Sequence, residues 1–225
     1  MKLNCVNCEL KSKAAKTLSD NELNNMSDTC AKVHYKKGEI VLKQGSLSTN
    51  IVYLRTGLAK IHIKGPYHEQ IVRIAKSPQY LGLPTTVGDK INQYSITILE
   101  DSEVCFIDIN TFKNLLKTNA QFSYSIIMDL CKNELDTFYM CTNRTQKQVR
   151  GRLADMLLDF SMNIFKSDTF ILPVTQEEIG NIVDSSRETV SRIFNEFERD
   201  GIIASEKKQI TLINKSTLNS ISDKG

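Results

Sequence analysis

No window of this 225-residue chain approaches the roughly 18 apolar residues that a membrane-spanning helix requires. The opening stretch, MKLNCVNCELKSK, lacks the apolar run of a secretory or lipoprotein signal, so a cytoplasmic protein with no membrane partner is expected. A large excess of one charge is also missing: 29 Lys and Arg stand against 26 Asp and Glu, a net +3. Residues 144–225 balance at 12 of each sign. Any nucleic-acid reading must therefore rest on where the charges sit. The chain has no P-loop, no nucleophile elbow and no His-Glu-x-x-His, and no enzyme is expected. Internal repeats and low-complexity segments are absent. Six cysteines in a cytosolic chain read as free thiols, metal ligands or redox switches before they read as a disulfide framework.

What is present is ordered along the chain. Residues 33–109 read as short strands punctuated by glycine: VHYKKGEIVLKQGS, NIVYLRTGLAKIHIKG, EQIVRIAK and YSITILEDSEVCFIDI, with Gly38, Gly45, Gly57 and Gly65 at the turns. Many short strands with regular turns predict a barrel or sandwich. After Asp108 the pattern changes. From NTFKNLL to MCTNRT there is neither Gly nor Pro, and apolar residues from Phe122 to Met140 cover two faces of a long helix, which must pack against two things. Ile127, Leu130, Glu134, Thr137 and Cys141 follow a 3-4-3-4 spacing, the seam expected of a two-stranded dimer. VRGRLADMLLDF is a further amphipathic helix. The first 32 residues and the last ten look weakly tied down.

The stretch SSRETVSR, residues 185–192, is too polar to open an ordinary core helix. At about 100° per residue, Val190, Ile193, Phe194 and Phe197 form one arc, and Arg187, Glu188, Ser191 and Arg192 lie opposite. Thr175 with Glu178, and Ser185 with Glu188, predict capping boxes for two short helices. Gly201 is placed to end the second. The preceding helix offers Ile179, Ile182 and Val183 to the same core across the turn DSS. Two such helices make a helix-turn-helix, whose second helix presents its N-terminal residues to the major groove of double-stranded DNA. Arginine can donate twice to guanine, and glutamate can accept from cytosine. IIASEKKQITLI then reads as two strands joined by a charged turn, with Lys207 on it.

QEEIGNIVDSSRETVSRIFNEFERDGII resembles the DNA-binding signature of the CRP/FNR family of bacterial transcription regulators. Upstream, KKGEIVLKQG and VYLRTGLAKIHI are similar to the start of that family's cyclic-nucleotide-binding-like β-roll. The resemblance covers about residues 30–215. It implies an α+β chain: a double-stranded β-helix (jelly-roll-like) sensor over residues 1–118, a dimerisation helix over 119–143, a winged helix-turn-helix over 144–216 and a tail over 217–225. It further implies a homodimer on a palindromic operator, with RNA polymerase as a partner. By position, Arg187, Glu188 and Arg192 match the base readers of the CRP branch, and Ser191 and Arg192 match readers of the FNR branch. Arg187 favours a TGTGA-like half-site. Thr175, Gln176, Ser186 and Lys207 complete the expected DNA-binding set.

The effector side departs from the cyclic-nucleotide pattern. Gly82, Leu83 and Pro84 stand where cyclic-AMP binders carry Gly-Glu-Leu, and Asn92 and Gln93 stand where the phosphate-binding arginine should be. A buried phosphate would lack its cation, so cyclic AMP is not expected in this pocket. FNR-type sensors hold an iron–sulfur cluster with three N-terminal cysteines and one in the β-roll. Here Cys5 and Cys8 form the C-x-x-C, Cys105 falls at the β-roll position, and Ala14 stands at the third, leaving Cys30 as the substitute. The alternatives are a zinc site or thiol switch at Cys5 and Cys8, haem ligation by His34, His62 or His68, and a small organic effector in the β-roll. Cys105 and Cys131 also suit small core positions. A redox protein with a vestigial helix-turn-helix is the rival from outside the regulators.

Overall fold

The glycine-punctuated strands close into a roll. In the computed structural model, which describes residues 4–225, eight strands run from Cys30 to Asp108: β1 (Cys30–Tyr35), β2 (Ile40–Leu42), β3 (Asn50–Leu54), β4 (Leu58–Lys64), β5 (Glu69–Lys76), β6 (Gln79–Leu81), β7 (Ser95–Ile98) and β8 (Ser102–Asp108). They form two four-stranded sheets, ordered β1-β8-β3-β6 and β2-β7-β4-β5, with antiparallel pairings such as Val52 opposite Phe106 and Ile61 opposite Ile96. This is the expected jelly-roll arrangement. Gly57 takes φ +91° between β3 and β4, where a side chain would collide with Ser102.

Strand alternation divides the first sheet's residues between two cores. Val52, Leu54, Leu81 and Val104 point between the sheets, where they meet Ala59, Ile61, Ala75, Ile96 and Ile98. Ile51, Tyr53, Tyr80, Cys105 and Ile107 point to the outer face. That face is covered by the N-terminal segment, by α1 (Asp20–Asp28), by α3 (Ile109–Thr118) and by the first turns of α4 (Ala120–Gln146). Phe112, Phe122 and Ile126 complete this outer core. A short helix, α2 (Leu83–Gly88), follows Gly82.

The N-terminus corrects one expectation. Ala14, Ala15, Leu18, Leu23 and Met26 are buried, and α1 is closed by a reciprocal capping box of Ser19 and Glu22. Of the first 32 residues, 1–3 lie outside the described residues; the rest are held. The final residues also differ from expectation: they form α8 (Lys215–Lys224), which buries Leu218 and Ser222.

Contacts divide the chain into two units: residues to Tyr67 with Val72–Glu134, and His68–Ile71 with Leu135–Gly225. In the second unit, α5 (Val149–Asp159) runs into a π-helical turn at Phe160–Phe165. Then follow β9 (Thr169–Ile171), α6 (Gln176–Val183), α7 (Arg187–Arg199), β10 (Ile203–Glu206) and β11 (Gln209–Leu212). The last two strands are those read from the sequence; β9 adds a third, in the order β10-β11-β9. α8 packs along α5, and Gln148 N–H donates to the Gly225 carbonyl at 3.0 Å.

Candidate nucleic-acid interface and thiolate pocket

α6 and α7 form a helix-turn-helix whose local chemistry fixes its angle. Thr175 and Glu178 cap α6 reciprocally, with Thr175 N–H donating to Glu178 Oε2 at 2.8 Å. The turn passes through Asp184 at φ +54°. There the Ser185 carbonyl lies so close to Gly180 that a Cβ would stand 2.5 Å from it. α7 is capped by Ser186, whose hydroxyl accepts from Thr189 N–H at 3.2 Å. The expected Ser185–Glu188 box is not formed: the cap falls one residue later, at Ser186, and is a single bond without the reciprocal one. Glu188 occupies the second helical position, and its carboxyl is held below its ordinary range first by its own backbone N–H, then by the Ser186 hydroxyl.

The division of α7 is as the wheel implies. Val190, Ile193, Phe194 and Phe197 are buried. Arg187, Glu188, Ser191 and Arg192, with Gln176 from α6, line one groove of about 710 Å³. Thr175 and Ser186 use their hydroxyls as caps, and Lys207 sits apart at φ +58° on the β10–β11 turn. Sequence reasoning missed Asn195, Glu196 and Arg199, which line the same groove. Their one-turn spacing beyond Ser191 and Arg192 was the available signal. Arg192 Nη1 donates to Glu196 Oε1 at 2.6 Å.

On the outer face of the first sheet, Cys5, Cys8, Cys30 and Cys105 line one cavity of about 260 Å³. The strands deliver two of them: the β1–β8 register sets Lys32 opposite Cys105 and Cys30 opposite Ile107. The N-terminal segment delivers the others and is pinned to α1 by one hydrogen bond and to the sheet by two. Cys5 N–H donates to Ser27 Oγ at 2.8 Å, Tyr53 Oη to the Leu10 carbonyl at 2.6 Å, and Ser12 Oγ to Tyr80 Oη at 3.0 Å. Cys30 hydrogen-bonds both Cys105 and Cys5, which holds its thiol in the protonated form. The same bond lowers Cys5 to about 6, against the opposing effect of burial, and lowers Cys105. Lys11, Lys32 and Arg55 bring positive charge to the cavity wall. Among the described residues, no three His, Cys, Asp or Glu side chains are grouped to hold a single metal ion. The four cysteines nevertheless line one cavity, and four thiolates are the donor set that an iron–sulfur cluster or a tetrahedral zinc takes.

Residues 151–221 match the family described as the Crp-like helix-turn-helix domain, and residues 32–119 match the cyclic nucleotide-binding domain. The chain belongs to the CRP/FNR family of transcription regulators. It is 27% identical over 185 residues to the transcriptional activator protein FnrA of Stutzerimonas stutzeri, covering 79% of this chain and 75% of that one. It is 26% identical over 224 residues to the fumarate and nitrate reduction regulatory protein of Vibrio cholerae, covering 96% and 89%. The structure of FixK2 from Bradyrhizobium japonicum superposes with a TM-score of 0.78 at 18% identity, over 85% of this chain and 96% of that one. As a CRP/FNR-family protein it is a DNA-binding transcription regulator and not an enzyme.

The remaining expected sites of this CRP/FNR-family chain are less uniform. Gly82 takes a left-handed φ of +73°, Leu83 is buried, and Gln93 is exposed. Asn92 is buried, with Thr85 Oγ1 donating to its Oδ1 at 3.2 Å and its Nδ2 donating to Ser46 Oγ at 3.1 Å. None of these four residues carries a cationic side chain. His62 is buried and bonded to Thr97 Oγ1 at 2.8 Å, while His34 lies against Glu103 and His68 against Asp184, each at 3.5 Å. The three histidines are thus dispersed.

The apolar surface of α4 also differs from the expected seam. Tyr124, Ile127, Met128, Leu135, Phe138 and Tyr139 are exposed. At about 100° per residue they all fall within about 60° of Tyr124, opposite the buried Phe122 and Ile126. Of the expected seam, only Ile127 lies on this stripe. Leu130 packs partly against its own outer core, and Glu134, Thr137 and Cys141 are exposed on a more polar face.

Proposed function

We propose that the chain acts as a homodimer on a palindromic operator with TGTGA-like half-sites, and that an iron–sulfur cluster held by Cys5, Cys8, Cys30 and Cys105 switches it. The observation that carries this reading is the meeting of all four cysteines in one cavity, although Cys30 and Cys105 are far apart in sequence and Cys30 departs from the family's spacing. Bound there, a cluster supplies an inorganic centre that oxygen or nitric oxide can dismantle.

The chain's own residues give such a centre a route to DNA. Cys5 and Cys105 share one core with Phe122 and Ile126 of α4, and Cys30 and Leu130 pack against it. A change in how the N-terminal segment sits on the sheet therefore meets the first turns of α4 directly. We assign the exposed Tyr124–Tyr139 stripe of α4 to the dimer interface, because an apolar stripe at three- and four-residue spacing is what a second helix covers. Two α7 helices related by a two-fold axis then meet adjacent major grooves. Arg187 and Arg192 read guanine and Glu188 accepts from cytosine. RNA polymerase, in the cytoplasm, is the partner this role requires.

The test is an absorption spectrum and iron and sulfide assay of anaerobically purified protein, paired with gel-shift titrations. The reading expects bound iron and sulfide, tighter binding to TGTGA-like than to TTGAT-like palindromes, and loss of that binding on exposure to air. Protein that carries no iron or sulfide and binds DNA equally with and without air overturns the switch. Sequence-blind binding overturns the operator.

A further inference from the structure

One of the four cysteines is held differently from the rest. Cys30 hydrogen-bonds Cys5 and Cys105, so three sulfurs form a chain. The fourth cysteine, Cys8, lines the same cavity as Arg55, whose guanidinium it holds above its ordinary pKa. Arg55 follows β3 directly and is fixed twice by one residue of β8: its backbone N–H donates to the Glu103 carbonyl at 2.8 Å, and its side chain pairs with the Glu103 carboxylate. Glu103 lies two residues before Cys105, on the same face of the strand. Lys32, the register partner of Cys105, holds the same carboxylate at 3.2 Å. An ionic link thus runs from the strand carrying Cys105 through Glu103 to Arg55, on the cavity that Cys8 also lines.

We infer that Arg55 is the positioning residue for the fourth thiolate: it keeps the Cys8 sulfur at the cavity with the other three and places a cation beside it. The inference rests on the cluster reading proposed above. Its physical basis is the planar fork of arginine, which can engage a carboxylate and a sulfur at once, whereas a lysine ammonium is a point charge. Thiolates crowded into a partly dry pocket also need a compensating cation. Groups that orient metal ligands from outside the first shell typically change metal affinity by roughly ten- to a hundredfold when removed.

The experiment is anaerobic reconstitution of the full chain with ferrous iron and sulfide, followed by iodoacetamide labelling resolved cysteine by cysteine by mass spectrometry. In the wild type all four cysteines are protected. In Arg55→Leu, Cys8 is labelled roughly ten- to a hundredfold faster, while Cys5, Cys30 and Cys105 stay protected. If Arg55→Leu does not fold by circular dichroism, Arg55→Lys decides: faster Cys8 labelling than wild type supports the role, and equal labelling overturns it. Equal Cys8 protection in Arg55→Leu and wild type overturns the role of Arg55 while the cluster stands. A wild type that takes up no iron and leaves all four cysteines open to label overturns the cluster and this inference together.

Discussion

Lys32 faces Cys105 across the β1–β8 ladder, and Cys30 lies two residues back on the same strand and the same face. This register brings a cysteine from the first strand of the roll beside one from its last. In the proposed cluster site, Cys30 would take the place of the missing third N-terminal cysteine, at a position the sheet fixes. The cysteine pocket is thus built from strand pairing as much as from the C-x-x-C, and its geometry depends on the β1–β8 pairing.

The groove of α7 makes a sharp distinction between base reading and charge. If Arg192 is bidentate to guanine, Arg192→Ala costs roughly 1–3 kcal/mol on the preferred operator and relaxes specificity at that base pair. Lys207→Ala, on the wing turn, weakens every sequence alike and flattens the salt dependence. Gel-shift titrations on matched and single-substituted operators, at two salt concentrations, separate the two. Equal sequence-blind losses for both variants would remove Arg192 from the readers.

How much of this was legible beforehand varied with how local the signal was. The two faces of α7 were legible because a helix keeps its wheel wherever it packs. Its cap was misplaced by one residue because Ser185 and Ser186 are both good capping residues, and only the turn at Asp184 chooses between them. The role of Cys30 was named from the cysteine count, but its meeting with Cys105 depends on a register between distant strands. α8 has few apolar residues and is held partly by backbone: the Gly225 carbonyl accepts from Gln148 N–H, and the Gly225 Cα lies 2.8 Å from where a Cβ on Gly151 would stand. Composition carries no trace of that. On α4 a three-and-four spacing fits several faces, and only the burial of Phe122, Ile126 and part of Leu130 shows which one the roll already uses.

Two residues at the roll's expected effector position are engaged within the fold. Leu83 is buried, and the Asn92 amide is engaged by Thr85 and Ser46. A cyclic nucleotide would find neither a ribose acceptor at Leu83 nor a phosphate cation at Asn92. Calorimetry with cyclic AMP and cyclic GMP should therefore show no saturable heat at micromolar nucleotide. Tight binding of either would reopen the pocket.

Gly180 is the point of closest approach between α6 and the turn. A methyl group there would lie 2.5 Å from the Ser185 carbonyl, and backbone cannot yield without opening the angle between α6 and α7. Gly180→Ala should destabilise the C-terminal unit by about 1–3 kcal/mol, the usual cost of overpacking, and weaken DNA binding. Urea unfolding followed by circular dichroism measures the first effect. An unchanged midpoint would show that the turn relaxes freely.

The face of α4 proposed to make the dimer is tested by comparing two leucines about 1.4 turns apart. Leu135 is 54% exposed on the apolar stripe, whereas Leu130 packs partly against its own outer core. If the stripe is the interface, Leu135→Ala removes a side chain buried only in the dimer and weakens association by about 2–5 kcal/mol, provided burial there is complete. Phe138→Ala, at 58% exposure on the same stripe, should act likewise. Leu130→Ala should instead lower the stability of each chain and change the dimer less. Glu134 lies on the neighbouring polar face, so Glu134→Leu should leave the association constant near wild type. Sedimentation equilibrium of the four variants at low micromolar concentration measures all of this. If Leu130→Ala dissociates the dimer, Glu134→Leu tightens it and Leu135→Ala does neither, the interface runs along Ile127, Leu130, Glu134, Thr137 and Cys141, and the exposed stripe serves some other partner.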